Sequence, residues 1–152
     1  MHAHFTSLLL NLKELTITNI VNVQDDFYIY VQPTDYLQVY PQCEGKNVIR
    51  KGTAYERKVR HLPAFGRCVY LLLPAIRMSC NQCGASFVWQ YACVAPKKRY
   101  TKQFEATIPN HVVGATVTHA ARQTKTPATT VERASTCSRR HGFGKRLPYL
   151  YQ

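Results

Sequence analysis

The segment Cys80-Asn81-Gln82-Cys83-Gly84 is the most informative motif of this sequence. Two cysteines separated by two residues can direct both thiolates into one tetrahedral Zn²⁺ shell. The glycine that follows relieves crowding where backbone N–H groups turn toward the sulfurs. A redox role is less well supported, because no thioredoxin-like βαβ pattern surrounds the two cysteines. The spacing therefore predicts one half of a zinc site, and a structural site needs a second pair of ligands.

The second half of the site is predicted upstream, in Tyr40-Pro41-Gln42-Cys43, where a tyrosine stands at the position of the first cysteine. The predicted metal ligands are Cys43, Cys80 and Cys83. The sequence does not choose the fourth ligand among His61, Cys68, Glu44 and water. Cys68 and Cys93 lie in apolar surroundings, which favours a place in the core.

Strand patterns fill the chain from Leu15 to about Tyr91. The segments rich in β-branched and aromatic residues, or alternating between apolar and polar residues, are Phe27–Val31, Tyr55–His61, Val69–Leu73 and Phe87–Tyr91. Pro74 is expected to place its strand at an edge or to cause a bulge. Turn residues separate the segments, which predicts a small antiparallel meander.

Helical patterns begin after the basic linker Lys97-Lys98-Arg99-Tyr100. Thr101 is a suitable N-cap for a helix through Ile108, and Pro109-Asn110 is expected to interrupt it. Residues 138–152 are basic, contain glycine and lack periodicity, which predicts a disordered tail.

Residues 116–133 fit a helix-turn-helix. Small residues at Ala120 and Ala121 allow two helices to approach closely, and Val131 would pack the second helix on the first. Lys125 replaces the usual glycine of the turn, which it can do only at some conformational cost. A plain helical hairpin would show similar spacing. The predicted DNA-binding residues are Lys97, Lys98, Arg99, Arg122, Lys125, Thr129, Thr130 and Arg133.

The charge of the chain is unevenly distributed. The 152 residues carry a net charge of +12, with 20 Lys and Arg against 8 Asp and Glu. Residues 1–45 hold one cation and five acids, and residues 46–152 hold 19 cations and three acids. Such a one-sided distribution favours a polyanionic partner, with nucleic acid as the first choice.

The compartment is predicted from what the sequence lacks. No apolar run approaches the roughly 20 residues of a spanning helix, and the N-terminus lacks the features of a secretory signal. We therefore expect a cytoplasmic protein with reduced cysteines and neither a membrane partner nor a small-molecule substrate.

These features together resemble the N-terminal part of bacterial insertion-sequence transposases of the ISL-three family. The matching segments follow in order over residues 8–133: Leu9–Leu12, Pro41–Cys43, Lys51-Gly52, Arg57–Pro63, Cys80–Gly84, Ala95–Thr101, Ala120–Arg122 and Thr130–Arg133. The resemblance implies a zinc ribbon, then a helix-turn-helix, then an RNase-H-like domain with an Asp-Asp-Glu triad that binds divalent metal.

The chain departs from the family at Tyr40, where members usually have cysteine, at the Leu73–Ala75 interruption of a strand, and after Arg133, where the pattern ends before the catalytic domain. Phosphoryl transfer by two metals needs several converging carboxylates. The last two thirds of the chain supply only Glu56, Glu105 and Glu132. We therefore expect a truncated transposase that is not an enzyme.

The sequence predicts an α+β protein with three parts. These are a small antiparallel β zinc-ribbon-like domain (residues 1–94), a helical DNA-binding segment (97–137) and a disordered tail (138–152). The expected function is recognition of insertion-sequence terminal repeats in double-stranded DNA, with Zn²⁺ as the cofactor. The alternatives are a stand-alone zinc ribbon that binds RNA or a protein partner, and the non-functional product of a decayed gene.

Overall fold

A computed structural model describes residues 10–35, 40 and 42–140 of the chain, which form an α+β fold. The strands are β1 (Leu15–Val23), β2 (Asp26–Pro33), β3 (Val48–Ala64), β4 (Arg67–Cys80) and β5 (Ser86–Val88). The helices are α1 (Lys102–Val112), α2 (Val117–Thr124) and α3 (Ala128–Arg140). The chain divides into two structural units, residues 1–102 and residues 103–152.

The five strands form one mixed sheet in the order β1-β2-β4-β3, with β5 paired to β4. The predicted antiparallel meander is wrong at one place, because β2 and β4 are parallel, with Asp26 opposite Cys68 and Tyr30 opposite Leu72. The prediction assumed that strands adjacent in sequence pair with each other. Here β3 continues to the outer edge, and the hairpin returns β4 to the side of β2.

The hairpin of β3 and β4 is the longest feature of the sheet. Its turn lies at Phe65 and Gly66, which both have positive φ, of 53° and 74°. Two successive residues with positive φ are the conformation that matches the twist of a two-residue hairpin. At the other end of the hairpin, Val48 pairs with Cys80, so the last residue of β4 is the first residue of the cysteine segment.

Pro74 does not end β4, which continues to Cys80. The register of β3 shifts between Thr53 and Glu56, opposite the proline, so the predicted bulge is present. The tyrosine hydroxyl of Tyr91 donates a hydrogen bond of 2.6 Å to the Pro74 carbonyl oxygen. The strand therefore tolerates a residue without an N–H because β2 has ended its pairing with β4 at Leu72 and the partner strand is bulged.

One face of the sheet forms the hydrophobic core of the first unit. Its members are buried apolar side chains of β1 to β4, Leu12 from the segment before β1, and Tyr91 and Val94 from the segment after β5. Leu71 and Leu73 in the centre of β4 are fully buried. Complete burial of each such side chain contributes roughly 1.5–3 kcal/mol, so this alternating face of β4 anchors the sheet.

The basic segment predicted as a linker is attached to the outer edge of β3. The N–H of Arg60 donates to the carbonyl of Arg99 (2.8 Å), and the N–H of Thr101 donates to the carbonyl of Arg60 (2.9 Å). The guanidinium of Arg57 also donates to the Lys98 carbonyl, at 2.9 Å. These bonds cover part of an edge strand and make residues 98–101 a portion of the first unit.

The helical unit contains α2 and α3, which pack on each other. Ala120 and Val131 are fully buried, as the close approach of two helices requires. The Thr116 hydroxyl caps α2 by accepting the N–H of His119, at 3.2 Å. Lys125 closes α2 with φ of 49° and ψ of 45°, the left-handed conformation usually given to glycine.

Two helix predictions need correction. Pro109 lies inside α1, which continues to Val112, because a proline removes one hydrogen bond while the buried Phe104 and Ile108 hold the helix. Helix α3 extends to Arg140, three residues into the predicted tail. The remainder of that tail, residues 141–152, lies outside the described residues.

Candidate metal centre

The sulfurs of Cys43, Cys80 and Cys83 form a cluster in which all three atoms lie within 4.8 Å of one another. The Cys43 sulfur is 3.5 Å from that of Cys80 and 3.4 Å from that of Cys83. The edges of a zinc–thiolate tetrahedron with Zn–S bonds of about 2.3 Å measure about 3.8 Å. The three predicted ligands are therefore brought together and positioned to bind a metal ion.

The knuckle of Cys80 and Cys83 is built by backbone hydrogen bonds at the end of β4. The N–H of Gly84 donates to the Cys80 carbonyl, and the N–H of Cys80 donates to the Ala85 carbonyl, both at 2.9 Å. Gly84 has φ of 72°, which explains why glycine follows the second cysteine. The turn therefore reverses the chain while both sulfurs stay on one side.

Tyr40 retains the backbone of a second knuckle without its sulfur. Its N–H donates to the Gly45 carbonyl, and its carbonyl accepts the N–H of Glu44, both at 2.9 Å. Its ring packs on Phe87 with the centroids 4.9 Å apart, and its hydroxyl donates to Gln42 Oε1 at 2.8 Å. Tyr40 thus keeps a hydrogen-bonded turn, and its side chain packs on Phe87 instead of presenting a sulfur.

Gly45 provides the space beside the sulfurs. A Cβ at this position would lie 2.8 Å from the Cys80 sulfur, 3.1 Å from the Cys43 sulfur and 2.7 Å from Gln82 Oε1. Such distances are too short for ordinary contacts. Gly45 is not among the described residues with positive φ, so the glycine is required here for room and not for its backbone conformation.

The thiols of Cys80 and Cys43 differ in acidity. The N–H groups of Cys83 and Gln82 lower the pKa of Cys80. Desolvation of its sulfur and the hydrogen bond with Cys83 raise the pKa of Cys43 to about 11. Since a metal binds thiolates, binding must release protons, and the affinity for metal must fall as the pH falls.

Two candidates for the fourth ligand are excluded by distance. His61 pairs with Val69 on the hairpin, eleven residues from Cys80 along β4, and Cys68 is one residue further. Eleven residues of strand span about 36 Å. His61 is instead buried, with Nδ1 3.0 Å from the Thr101 hydroxyl, and burial lowers the pKa of its imidazole.

Glu44 is exposed beside Cys43 with φ of 52°, and its carboxylate is not part of the cluster. Within the described residues, the cluster therefore consists of three thiols without a fourth histidine, cysteine or carboxylate. The two remaining cysteines of the first unit are separate from the cluster. Cys68 is buried in β4. Cys93 is half-buried, and desolvation of its sulfur, together with the charge of the neighbouring Glu14, raises the pKa of its thiol to about 12.

The predicted DNA-binding residues are distributed over both units. The first unit contains Lys97, Lys98 and Arg99, and the second contains Arg122, Lys125, Thr129, Thr130 and Arg133. Most are exposed, whereas Lys98 and Thr130 are half-buried. In the described part of the chain, no helix combines the length and apolar character needed to cross a membrane.

Three thiols at the open end of a β hairpin define the class of this site, a zinc ribbon. Within that class, residues 41–83 match the family model described as the zinc-finger of transposase IS204/IS1001/IS1096/IS1165. The match runs from the residue after Tyr40 to Cys83 and contains β3 and β4. The resemblance to ISL-three transposases is therefore confirmed for the ribbon, while the helix-turn-helix stays a prediction. Neither a curated protein nor a solved structure matches the chain.

Sequence reasoning missed two parts of the site. The first is the space provided by Gly45, for which its position two residues after Cys43 is the available signal. The contact between Tyr40 and Phe87 joins residues 47 positions apart, and no sequence pattern indicates it.

Proposed function

We propose that this chain is the DNA-binding part of an insertion-sequence transposase and recognises the terminal repeats of its element in double-stranded DNA. The observation that carries the proposal is the match of residues 41–83 together with the three converging thiols. The protein acts at the nucleoid in the bacterial cytoplasm, and its ligand is the DNA alone.

Zn²⁺ is the metal that this donor set fits best, because thiolate ligands at knuckle spacing are typical of structural zinc sites. Bound zinc would supply folding free energy to the open end of the hairpin. Cys43, Cys80 and Cys83 would hold it, with Gly45 keeping the adjacent space free. The role of the metal in this proposal is structural.

The helical unit supplies the proposed contacts to duplex DNA. Arg122 lies on α2, Lys125 in the turn, and Thr129 and Arg133 on α3, all exposed. Arginine and threonine side chains at the start of a recognition helix can contact phosphates and base edges in a major groove. The phosphate contacts would fix the position of the chain along its repeat, and the base-edge contacts would select the repeat by its sequence.

Binding should depend strongly on salt. If about four to six phosphates are neutralised, log K should fall with log salt at a slope of roughly −4 to −5. Removing one phosphate contact with Arg122→Gln or Arg133→Gln should reduce the magnitude of the slope by about 0.9. The measurement is fluorescence anisotropy with a terminal-repeat duplex between 50 and 300 mM salt.

Lys51→Gln is a matched control, because Lys51 is exposed on β3 outside the predicted set. A scrambled duplex and a structured RNA of the same length complete the comparison. A slope near zero, or tighter binding to the RNA, would contradict the proposal.

We also propose that this chain has no catalytic activity of its own. Glu56 lies on β3, Glu105 on α1 and Glu132 on α3, so the three acids of residues 46–152 belong to different elements. Purified protein incubated with a terminal-repeat plasmid and Mg²⁺ or Mn²⁺ should leave the DNA intact. Metal-dependent nicking that copurifies with the protein through successive columns would be the opposite result.

A further inference from the structure

Tyr28, Tyr70 and Lys58 form an aromatic and cationic cluster away from the metal centre. Tyr28 on β2 and Tyr70 on β4 are register partners, and their rings stack with centroids 5.4 Å apart and planes inclined by 28°. Lys58 extends from β3, with Nζ 4.0 Å from the Tyr70 centroid and 4.6 Å from the Tyr28 centroid. Its ammonium also donates a 2.7 Å hydrogen bond to the Tyr28 hydroxyl.

The cluster lies on the face of the sheet opposite the core. Ile29 and Leu71, the neighbours of Tyr28 and Tyr70 in sequence, are buried in the core. Side chains alternate between the two faces of a strand, so the tyrosines face the other way. Tyr30 follows on the same face of β2. We call Tyr28, Tyr30, Tyr70 and Lys58 the tyrosine face; its rings are half-buried and its lysine is exposed.

The charge of the tyrosine face is positive. Lys58 is held there by contacts with both rings, and the hydrogen bond to Tyr28 raises its pKa, so it stays charged at neutral pH. Arg60 pairs in register with Tyr70; burial raises the pKa of that phenol, and the charge of Arg60 opposes the increase. Asp26 is the acid whose charge acts on Tyr70 and Lys58. The exposed ammonium of Lys58 beside two stacked rings favours an anionic ligand that also presents flat rings.

We propose that the tyrosine face binds an unpaired nucleic-acid strand, whose bases stack on the tyrosine rings while Lys58 contacts a phosphate. Aromatic side chains on a sheet are a general platform for unpaired bases, since every base has a π face. A duplex hides those faces within its stack. Lys58 can move away from the two rings and contact a phosphate, because its side chain is flexible and its ammonium charge is compact.

This proposal does not rest on the proposed recognition of duplex repeats. The residues assigned to duplex DNA all lie between positions 97 and 133, and the tyrosine face contains none of them. Loss of one kind of binding can therefore be measured while the other is retained.

The test uses labelled 15-nucleotide probes, one of deoxythymidine and one of uridine, which distinguish a DNA strand from an RNA strand. Tyr28→Leu and Tyr70→Leu keep apolar bulk on the sheet but remove the rings. Each should weaken binding of the preferred probe by about 5- to 100-fold. Lys58→Gln should reduce the magnitude of the salt slope by about 0.7.

Tyr55→Leu is the matched control, because Tyr55 is a tyrosine of β3 that is 61% exposed and outside the cluster. It should bind like the wild type, and so should Tyr28→Phe, which keeps the ring. Duplex affinity, bound zinc and the melting temperature are measured for every variant. If a leucine variant does not fold, the slope of Lys58→Gln decides the question.

Three results would overturn the proposal. These are a wild type that binds neither probe, ring variants that fold and bind as the wild type does, and a loss that is equal for Tyr55→Leu. A wild type that binds a strand probe but not the terminal-repeat duplex would instead count against the proposed function and leave the tyrosine face supported.

Discussion

Tyr40→Cys is expected to tighten zinc binding by about 100-fold and to raise the melting temperature only when zinc is present. Structural zinc sites with four ligands contribute about 10–16 kcal/mol, so one thiolate accounts for about 3 kcal/mol, which corresponds to about 100-fold. Competition with a chromophoric chelator measures the affinity. The metal dependence of the melting temperature is measured in parallel with and without a chelator.

The geometry supports this substitution. The backbone of Tyr40 already closes a turn onto Gly45 and Glu44, so a thiol there would lie at knuckle spacing from Cys43. The cost is loss of the ring contact with Phe87, which is worth roughly 1 kcal/mol. In the absence of metal, Tyr40→Cys should therefore be slightly less stable than the wild type, and zinc should reverse the order.

Tyr40→Ser separates the two effects, because it removes the ring without adding a strong ligand. It should be less stable than the wild type with and without zinc. Cys80→Ser in the Tyr40→Cys background should remove the gain. If Tyr40→Cys and Tyr40→Ser bind zinc with the affinity of the wild type, position 40 does not belong to the coordination shell.

The sequence was sufficient to predict the features that depend on local chemistry. The spacing of Cys80 and Cys83, together with Cys43 upstream, indicated the three ligands that the fold brings together. Pro74 indicated a bulge because a residue without an N–H cannot complete a ladder. These inferences depended only on short sequence motifs and on the bonding capacity of the residues in them.

The features that depend on distant partners could not be predicted. The parallel pairing of β2 with β4 follows from the path of the whole hairpin, so no local pattern contains it. The stacking of Tyr28 on Tyr70 depends on that pairing and could not be predicted for the same reason. His61 could not be removed from the ligand candidates until the register placed it beside Val69, far along β4 from Cys80.

Gly45→Ala is expected to weaken zinc binding by about 10- to 100-fold, although the new side chain is a single methyl group. This is the typical loss of affinity for substitutions that disturb the immediate surroundings of metal ligands. The methyl carbon would lie within 3.1 Å of two sulfurs and of Gln82 Oε1. The sulfurs of Cys43 and Cys80 would have to shift away from the methyl carbon.

Gly84→Ala is the control that separates space from backbone conformation. Gly84 lies in the same site with φ of 72°, and a Cβ there would meet no atom within 4 Å. Its replacement should cost roughly 1 kcal/mol of stability through the unfavourable left-handed conformation. It should leave the zinc stoichiometry unchanged.

Titration of both variants with zinc, followed by the absorption of the bound chelator, measures the two affinities directly. Gln82→Ala in the Gly45→Ala background tests the clash, since it removes the amide oxygen, which is one of the three atoms too close to the new methyl carbon. We expect a partial recovery of affinity, because the two sulfurs still crowd the methyl group. Equal affinities of Gly45→Ala and the wild type would show that the sulfurs can separate without loss of binding, and the space beside Gly45 would then not be required for the metal.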